Sequence, residues 1–175
     1  MLLLIPGISA MAQQIYLTYA GIVNFTSNAP LEVIKASSDQ LHGAISISER
    51  SFAFTIDNKS FKGFNSTLQQ EHFYENYLEV QDYPASSFKG KLIEAIDSGT
   101  TSEQLIRAKG ILDIHGMEQE RIIKCIVRVN GEKLIIHADF SVLLEDHRIK
   151  IPGIVNQKIA EVIDVSISAE LSLKK

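Results

Sequence analysis

Ile123-Lys124-Cys125-Ile126-Val127-Arg128-Val129-Asn130-Gly131-Glu132-Lys133-Leu134-Ile135-Ile136-His137-Ala138-Asp139-Phe140 is the stretch that decides the fold. Ile123, Cys125, Val127 and Val129 fall on every second position, and Leu134, Ile136, Ala138, Phe140, Val142 and Leu144 repeat the pattern on the way back. A period of two belongs to a strand with one face buried and the other wet, whereas a helix repeats every 3.6 residues. Asn130-Gly131 lies between the two runs, and its easy positive φ predicts a two-residue type I′ turn. The whole stretch therefore reads as an antiparallel hairpin.

The same alternation spreads in both directions. Upstream, Leu41, Gly43, Ile45 and Ile47 share one face, and Phe52, Phe54 and Ile56 follow after the polar break at Glu49-Arg50, which predicts a second hairpin. Ile106, Ala108, Gly110, Leu112 and Ile114 face one way, while Arg107, Lys109, Asp113 and His115 face the other. Downstream, Ile163, Val165, Ile167, Ala169, Leu171 and Leu173 alternate with Asp164, Ser166, Ser168, Glu170 and Ser172. With further runs at 15–25, 33–38 and 87–95 the total is about eight strands, enough to close a barrel that is either filled by side chains or open to one ligand. Gly43, Ala53, Gly90, Ala108, Gly110 and Ala138 lie at strand positions, but small residues also serve a barrel's taper, so they favour an open interior only slightly.

One segment breaks the period. From Ser66 to Val80, Ser66 and Gln69 form a capping-box signature, and Phe73 and Tyr77 fall one helical turn apart. This predicts a short helical insertion around residues 66–80, ended by Asp82-Tyr83-Pro84. A second short helical turn is expected between Asn156 and Ala160. The residues thus read as an all-β chain of about eight strands with antiparallel hairpins and one helical insertion, enough to close a barrel.

The chain has 175 residues, which suits one domain. Seventeen Lys and Arg against 21 Asp and Glu, with no dense basic run, argue against nucleic acid as a partner. The single cysteine, Cys125, rules out an internal disulfide and every Cys-based zinc pattern, leaving core filling as its role. Residues 1–12 form an apolar run ending in Ala10-Met11-Ala12, the small-x-small form of a signal-peptidase site, which predicts export and a mature domain over 13–175. The basic n-region is missing, so this reads as an incomplete signal peptide. The alternative is a buried first strand or short helix, which Pro6 and Gly7 suit poorly. No later segment reaches the roughly 18 apolar residues of a membrane-spanning helix.

Catalytic chemistry lacks its usual signs. None of His42, His72, His115, His137 and His147 stands in a His-x-x-x-His or His-Glu-x-x-His pattern, so no metal is expected. Gly-x-Ser-x-Gly, Gly-x-x-x-x-Gly-Lys and Gly-x-Gly-x-x-Gly are absent. Glu75 and Glu79 read as a solvated helix face. His72, beside Glu71 on the helix, is a candidate for contact with a polar headgroup.

Glu71-His72-Phe73-Tyr74-Glu75-Asn76-Tyr77-Leu78-Glu79, followed by Tyr83-Pro84 and Phe88-Lys89-Gly90, resembles the signature of the YceI-like, polyisoprenoid-binding family. Phe25-Thr26-Ser27, Gly110-Ile111-Leu112-Asp113-Ile114-His115-Gly116 and the stretches 140–152 and 159–171 extend the resemblance. Tyr74 stands where Asn is common, Ser46 where an acidic residue often follows, and His147 where tyrosine is usual; these departures concern headgroup contacts. The resemblance implies an eight-stranded, antiparallel, lipocalin-like β-barrel, exported to the periplasm, whose tunnel takes a long isoprenoid, isoprenoid quinone or fatty tail. It implies no catalytic set and no cofactor, and a homodimer is compatible with it. The tunnel candidates come from the apolar faces: Ile45, Phe52, Phe54, Leu112, Ile114, Val127, Ile136, Phe140 and Ile167, with Phe73 and Tyr77 as caps. The alternatives are a structural or stress-related protein with a filled barrel, and an enzyme working at the barrel mouth through His72 or His147.

Overall fold

The computed structural model describes residues 14–174; the apolar run 1–12 lies outside them. Eight strands close into one antiparallel barrel in chain order: β1 (Ile15–Asn28), β2 (Val33–Ser46), β3 (Ser51–Asp57), β4 (Ala85–Leu92), β5 (Gln104–Ile114), β6 (Met117–Asn130), β7 (Lys133–Leu143) and β8 (Val162–Leu173). β8 returns to pair with β1, so no edge is left unpaired. Each strand presents alternate residues to the interior, as the period of two demands.

Three details differ from the sequence reading. The runs 33–38 and 41–46 are one strand, which passes through a bulge at exposed Asp39 and Gln40 between the Val23–Ser38 and Gly21–Leu41 pairs. In the β6–β7 hairpin Asn130 pairs with Lys133, so the turn residues are Gly131 and Glu132, and only Gly131 has positive φ (62°). That sign pattern fits a type II′ turn with glycine first. The predicted type I′ pattern occurs instead at His115-Gly116, between β5 and β6, where both residues have positive φ (55° and 67°). The short helical turn expected at 156–160 lies earlier, at Gly153–Val155.

Connections 47–50, 93–103 and 131–132 gather at one end of the barrel. Connections 29–32, 58–84, 115–116 and 144–161 gather at the other. The first end is plugged. Val129 pairs with Leu134 and Leu134 with Leu171, and these side chains meet Tyr16 and Ile106 across the barrel; Leu134 and Leu171 are 0% exposed. Filling this end with well-packed aliphatics stabilises the barrel by roughly 1.5–3 kcal/mol per side chain.

Midway along, glycines make room for aromatic rings. Gly43 pairs with Phe54, and a Cβ at Gly43 would overlap the Phe54 ring. Gly90 and Gly110 face each other across β4 and β5; a Cβ at Gly110 would collide with the Lys89 carbonyl and press on the Phe52 ring.

The helical insertion begins as the sequence suggests. Ser66 Oγ accepts from the Gln69 amide at 3.1 Å and starts α1 (Thr67–His72). The reciprocal half of the capping box is shifted by one residue, because Gln69 Oε1 accepts from the Asn65 amide (3.0 Å). The chain then widens into a π-turn at Phe73–Tyr77. Glu79 in the left-handed region (φ 44°), with the Val80 amide donating to the Tyr74 carbonyl at 2.8 Å, ends the helix. This stop comes before the Asp82-Tyr83-Pro84 break expected from the sequence.

Two substitutions test this packing through urea-unfolding midpoints at constant m-value. Leu134→Ala in the plug is expected to cost about 2–5 kcal/mol. Gly110→Ala, which must push backbone from backbone, is expected to cost about 1–3 kcal/mol.

Candidate ligand-binding cavity

Above the plug the inward side chains stop meeting. Phe54, Phe88, Cys125, Ala138, Phe140, Ile163, Val165 and Ile167 all point inward yet are only half-buried, because they face empty space. The space is one cavity of about 500 Å³, within the usual range of small-molecule sites. Along β7 its wall runs from Val142 to Ile136, six residue steps or about 20 Å of strand at 3.4 Å each. Its floor lies at Leu92, Ile96, Ala108 and Val127, just above the plug. Its mouth opens between the helical insertion and the 144–161 connection, where Leu68, Leu144, Val155 and Ile159 join the wall.

All eleven apolar residues expected from the sequence border this one space. Ile45, Phe52, Val127 and Ile136 lie toward the floor, buried among the residues of the plug. Phe54, Leu112, Ile114, Phe140 and Ile167 form the mid-wall and upper wall. Phe73 and Tyr77 reach it from the insertion. Phe73 also anchors that insertion: its ring stacks on Phe25 (5.3 Å between centroids) and packs against Phe61 (5.9 Å) and Phe64 (4.9 Å). Capping and anchoring are thus one contact set. Partial burial raises the Tyr77 hydroxyl above its ordinary pKa, which keeps the phenol neutral beside the apolar wall.

Polar groups collect at the lip. Glu32, Ser66, Gln69, His72 and Lys158 border the mouth. Glu32 Oε1 accepts from Gln69 Nε2 (3.0 Å) and from Asn65 Nδ2 (3.2 Å), tying the insertion to the β1–β2 turn. His72 and Lys158 are exposed there. Deeper polar side chains are satisfied within the wall. Asn58, 0% exposed, donates to the Tyr83 carbonyl (2.8 Å) and accepts from Ser86 Oγ (2.9 Å). Such pairing removes the cost that an unpartnered polar group would bring to an apolar site.

Two residues singled out by the sequence play other parts. His147 is 0% exposed and does not border the cavity. Its Nδ1 donates to the carbonyls of Met117 (3.0 Å) and Ile114 (3.2 Å), which pins the 144–147 turn under the β5–β6 hairpin. The alternative of His147 as an acid or base at the mouth is therefore corrected: it is walled off from that space. The Tyr74 hydroxyl lies 2.7 Å from the Phe61 carbonyl and 2.9 Å from that of Lys59, and accepts from Gln70 Nε2 (2.7 Å). It fastens the insertion instead of meeting a headgroup.

Cys125 is the thiol inside the bore. Burial pushes its thiol up to about 11, and its Sγ donates to the Ile106 carbonyl at 3.2 Å. A thiol held protonated in this way is a poor nucleophile. Among the described residues no three His, Cys, Asp or Glu side chains gather as metal ligands, and no helix is long and apolar enough to cross a membrane.

Phe25, Phe61, Phe64 and Phe88, which complete the aromatic part of the wall, were not among the sequence candidates. Phe25 and Phe88 stand on strands and could have been found by extending the parity of β1 and β4. Phe61 and Phe64 lie in the irregular stretch before the helix, where no period exists to assign a face.

Solved structures share this barrel. A polyisoprenoid-binding domain from Saccharophagus degradans, implicated in plant cell wall breakdown, superposes with a TM-score of 0.78 at 16% identity, over 93% of this chain and 99% of that one. BcnA of Burkholderia cenocepacia gives 0.69 at 13% identity, covering 87% and 96%. A YceI protein of Campylobacter jejuni gives 0.58 at 15%, covering 75% and 78%. At such identities the likeness is one of fold. No curated protein sequence matches the chain. The YceI-like domain model matches residues 21–171, nearly the whole barrel with its insertion, and the chain accordingly belongs to the YceI-like family.

Proposed function

We propose that this protein binds, and carries or sequesters, a long-chain amphiphile of the isoprenoid, isoprenoid-quinone or fatty-acid kind, with its tail in the bore and its head at the lip. The observation that carries the reading is the apolar cavity of about 500 Å³, sealed at one end and open at the other. The solved neighbour described as a polyisoprenoid-binding domain supports the same class of ligand. Export to the periplasm, as the 1–12 run suggests, would suit a carrier that takes a water-insoluble cargo through an aqueous space.

Magnitudes favour long tails. Each buried CH2 is worth about 0.8 kcal/mol, so one five-carbon isoprene unit gains roughly 4 kcal/mol. Association costs about 4–15 kcal/mol, so a single unit is held weakly and several are needed for a stable complex. Affinity then grows with tail length until the bore is full. The headgroup contributes position more than strength, through exposed His72, Lys158 and the Glu32–Gln69 pair.

The reading is of a binding protein, not an enzyme. The thiol in the cavity is held in its protonated form, His147 is walled off, and His72 is the one histidine that borders the space.

Organic extraction of protein purified gently from its own host, followed by mass spectrometry, should recover close to one long-chain lipid per chain. Recovery of none, together with failure of the delipidated protein to hold a long-chain ubiquinone in aqueous solution, would remove the proposal. Ala138→Phe, which fills the mid-bore, is expected to weaken ubiquinone uptake at least ten-fold with an unchanged circular dichroism spectrum. Ala53→Phe, on the outer face of the pair formed with Ala44, should leave uptake unaltered.

Cys125 gives an independent readout. With its thiol near 11, alkylation at pH 8 should run about a hundred-fold slower than for a thiol at the ordinary 9.0, and the rate should climb about ten-fold per pH unit until pH approaches 11. Bound ubiquinone should slow this alkylation further at every pH. Equal rates with and without ubiquinone would place the tail elsewhere.

A further inference from the structure

Apolar side chains around the mouth point the wrong way for a soluble protein. Ile154, at the tip of the 153–155 turn, is 93% exposed, Leu31 in the β1–β2 turn is 67% exposed, and Leu68 on α1 is 60% exposed. Isolated exposed aliphatics are ordinary on any surface, but these three crown separate connections at the same, open end of the barrel.

The three tips are held in fixed relation. The Leu31 amide donates to the Gln157 carbonyl (2.9 Å), joining the first tip to the connection that carries Ile154. Asn65 Nδ2 donates to the Val33 carbonyl (3.0 Å), and Gln69 donates to Glu32, joining the same turn to the helix that carries Leu68. Ser27 Oγ accepts from the Ala160 amide (2.8 Å) and closes the seam behind them. The apolar surface is also continuous with the bore: Leu68 belongs to the cavity wall, and Val155, next to Ile154, does too.

We infer that this rim docks on the surface of a lipid bilayer, Leu31, Leu68 and Ile154 entering its interface so that the bore opens directly onto the membrane. The inference rests on the lipid-carrier reading of the cavity. A second protein is a poorer occupant, since a stable protein interface buries about 800 Å² on each partner in a contiguous patch. Here the tips stand on three separate connections, joined through the polar Glu32–Gln69 pair and the Leu31–Gln157 backbone bond. A bilayer accepts separated tips, because each inserts on its own into the boundary between headgroups and acyl chains. The charge at this end agrees: the exposed basic residues of the 58–84 and 144–161 connections, Lys59, Lys62, Arg148, Lys150 and Lys158, are outnumbered by exposed acidic ones, so the contact is apolar and does not require anionic lipid. Lys158 can also lay its stem along apolar surface with its ammonium in the headgroup layer. A tail passing from membrane to bore across such a contact never crosses water.

The test is stopped-flow transfer of a long-chain ubiquinone from pure phosphatidylcholine vesicles to the delipidated protein, comparing wild type with the double variant L31S/I154S, neither residue being part of the cavity wall. Wild-type transfer should accelerate with vesicle concentration. The variant should transfer at least ten-fold more slowly, at a rate independent of vesicle concentration, yet bind detergent-delivered ubiquinone as wild type does. The single variant Ile154→Ser, at a position too exposed to affect folding, should show an intermediate slowing. Equal transfer rates would overturn the docking inference while leaving the carrier reading intact. So would a dimer, seen in sedimentation, that dissociates in the double variant with transfer unchanged, since the rim would then be covered by a second copy. Wild-type protein that takes up no ubiquinone even from detergent would overturn the carrier reading itself.

Discussion

Eight strands make a barrel of the size at which the interior can be either filled or hollow. Which of the two results depends on where the large inward side chains go, and in this chain the phenylalanines decide it. Phe54 lies over Gly43 and Phe52 against Gly110, so each ring takes up volume on the wall that a Cβ would otherwise occupy. Had those positions carried side chains, the rings would have been driven toward the axis, where Phe140 and Ile167 come from the opposite side. Below this level, Val129, Leu134 and Leu171, side by side on β6, β7 and β8, have no such relief and pack with Tyr16 and Ile106 into the plug. The same alternating pattern thus gives a packed plug at one end and a void at the other, according to whether glycine or an aliphatic stands opposite.

The rest of the structure serves the mouth. Closing the sheet frees the connections from any duty to cover an edge, and the longest of them, 58–84, becomes a partial roof. That roof is fastened at several points by different forces. Phe73 stacks into the cluster of Phe25, Phe61 and Phe64; Tyr74 bonds to backbone carbonyls; Glu79 Oε2 lies 2.6 Å from His115 Nε2. The π-turn at Phe73–Tyr77 widens the helix where Phe73 and Tyr77 both reach the cavity, in keeping with the frequent placement of such turns at functional sites. Polar groups stay at the lip or are paired within the wall, so the bore itself offers a ligand little beyond hydrocarbon contact.

Much of this was legible in the residues. Parity assigned the inward face of β3, β5, β6, β7, β8 and the second half of β2, and with it Ile45, Phe54, Leu112, Phe140 and Ile167, because a closed barrel leaves each strand only one interior; β1 and β4 were left without a face. The helical insertion was legible through Ser66 and Gln69, whose capping preference is local. What parity could not reveal was whether the inward side chains meet, since that depends on which residues face each other across strands that are far apart in the chain. Gly43 and Gly110 carried the answer, but their meaning appears only once Phe54 and Phe52 are known to lie against them. Phe61 and Phe64 were silent for lack of any period. The β6–β7 turn shifted by one residue because strand register, set by Asn130 pairing with Lys133, outweighed the local preference of Asn-Gly. His147 likewise gave no hint of its burial, which depends on two carbonyls from the neighbouring hairpin.

A bore with a floor behaves differently from a pipe. Anything threaded into it must enter tail first and leave head first by the same aperture, so donor and acceptor have to be approached with the same face of the molecule and cannot be served at once. The floor at Leu92, Ile96 and Ala108 is also a fixed stop. Chains shorter than the shaft leave a gap at the bottom, whereas longer ones must fold back or stand proud of the lip with their last carbons wetted. The plug, by ending the void where it does, turns the barrel into a gauge of chain length.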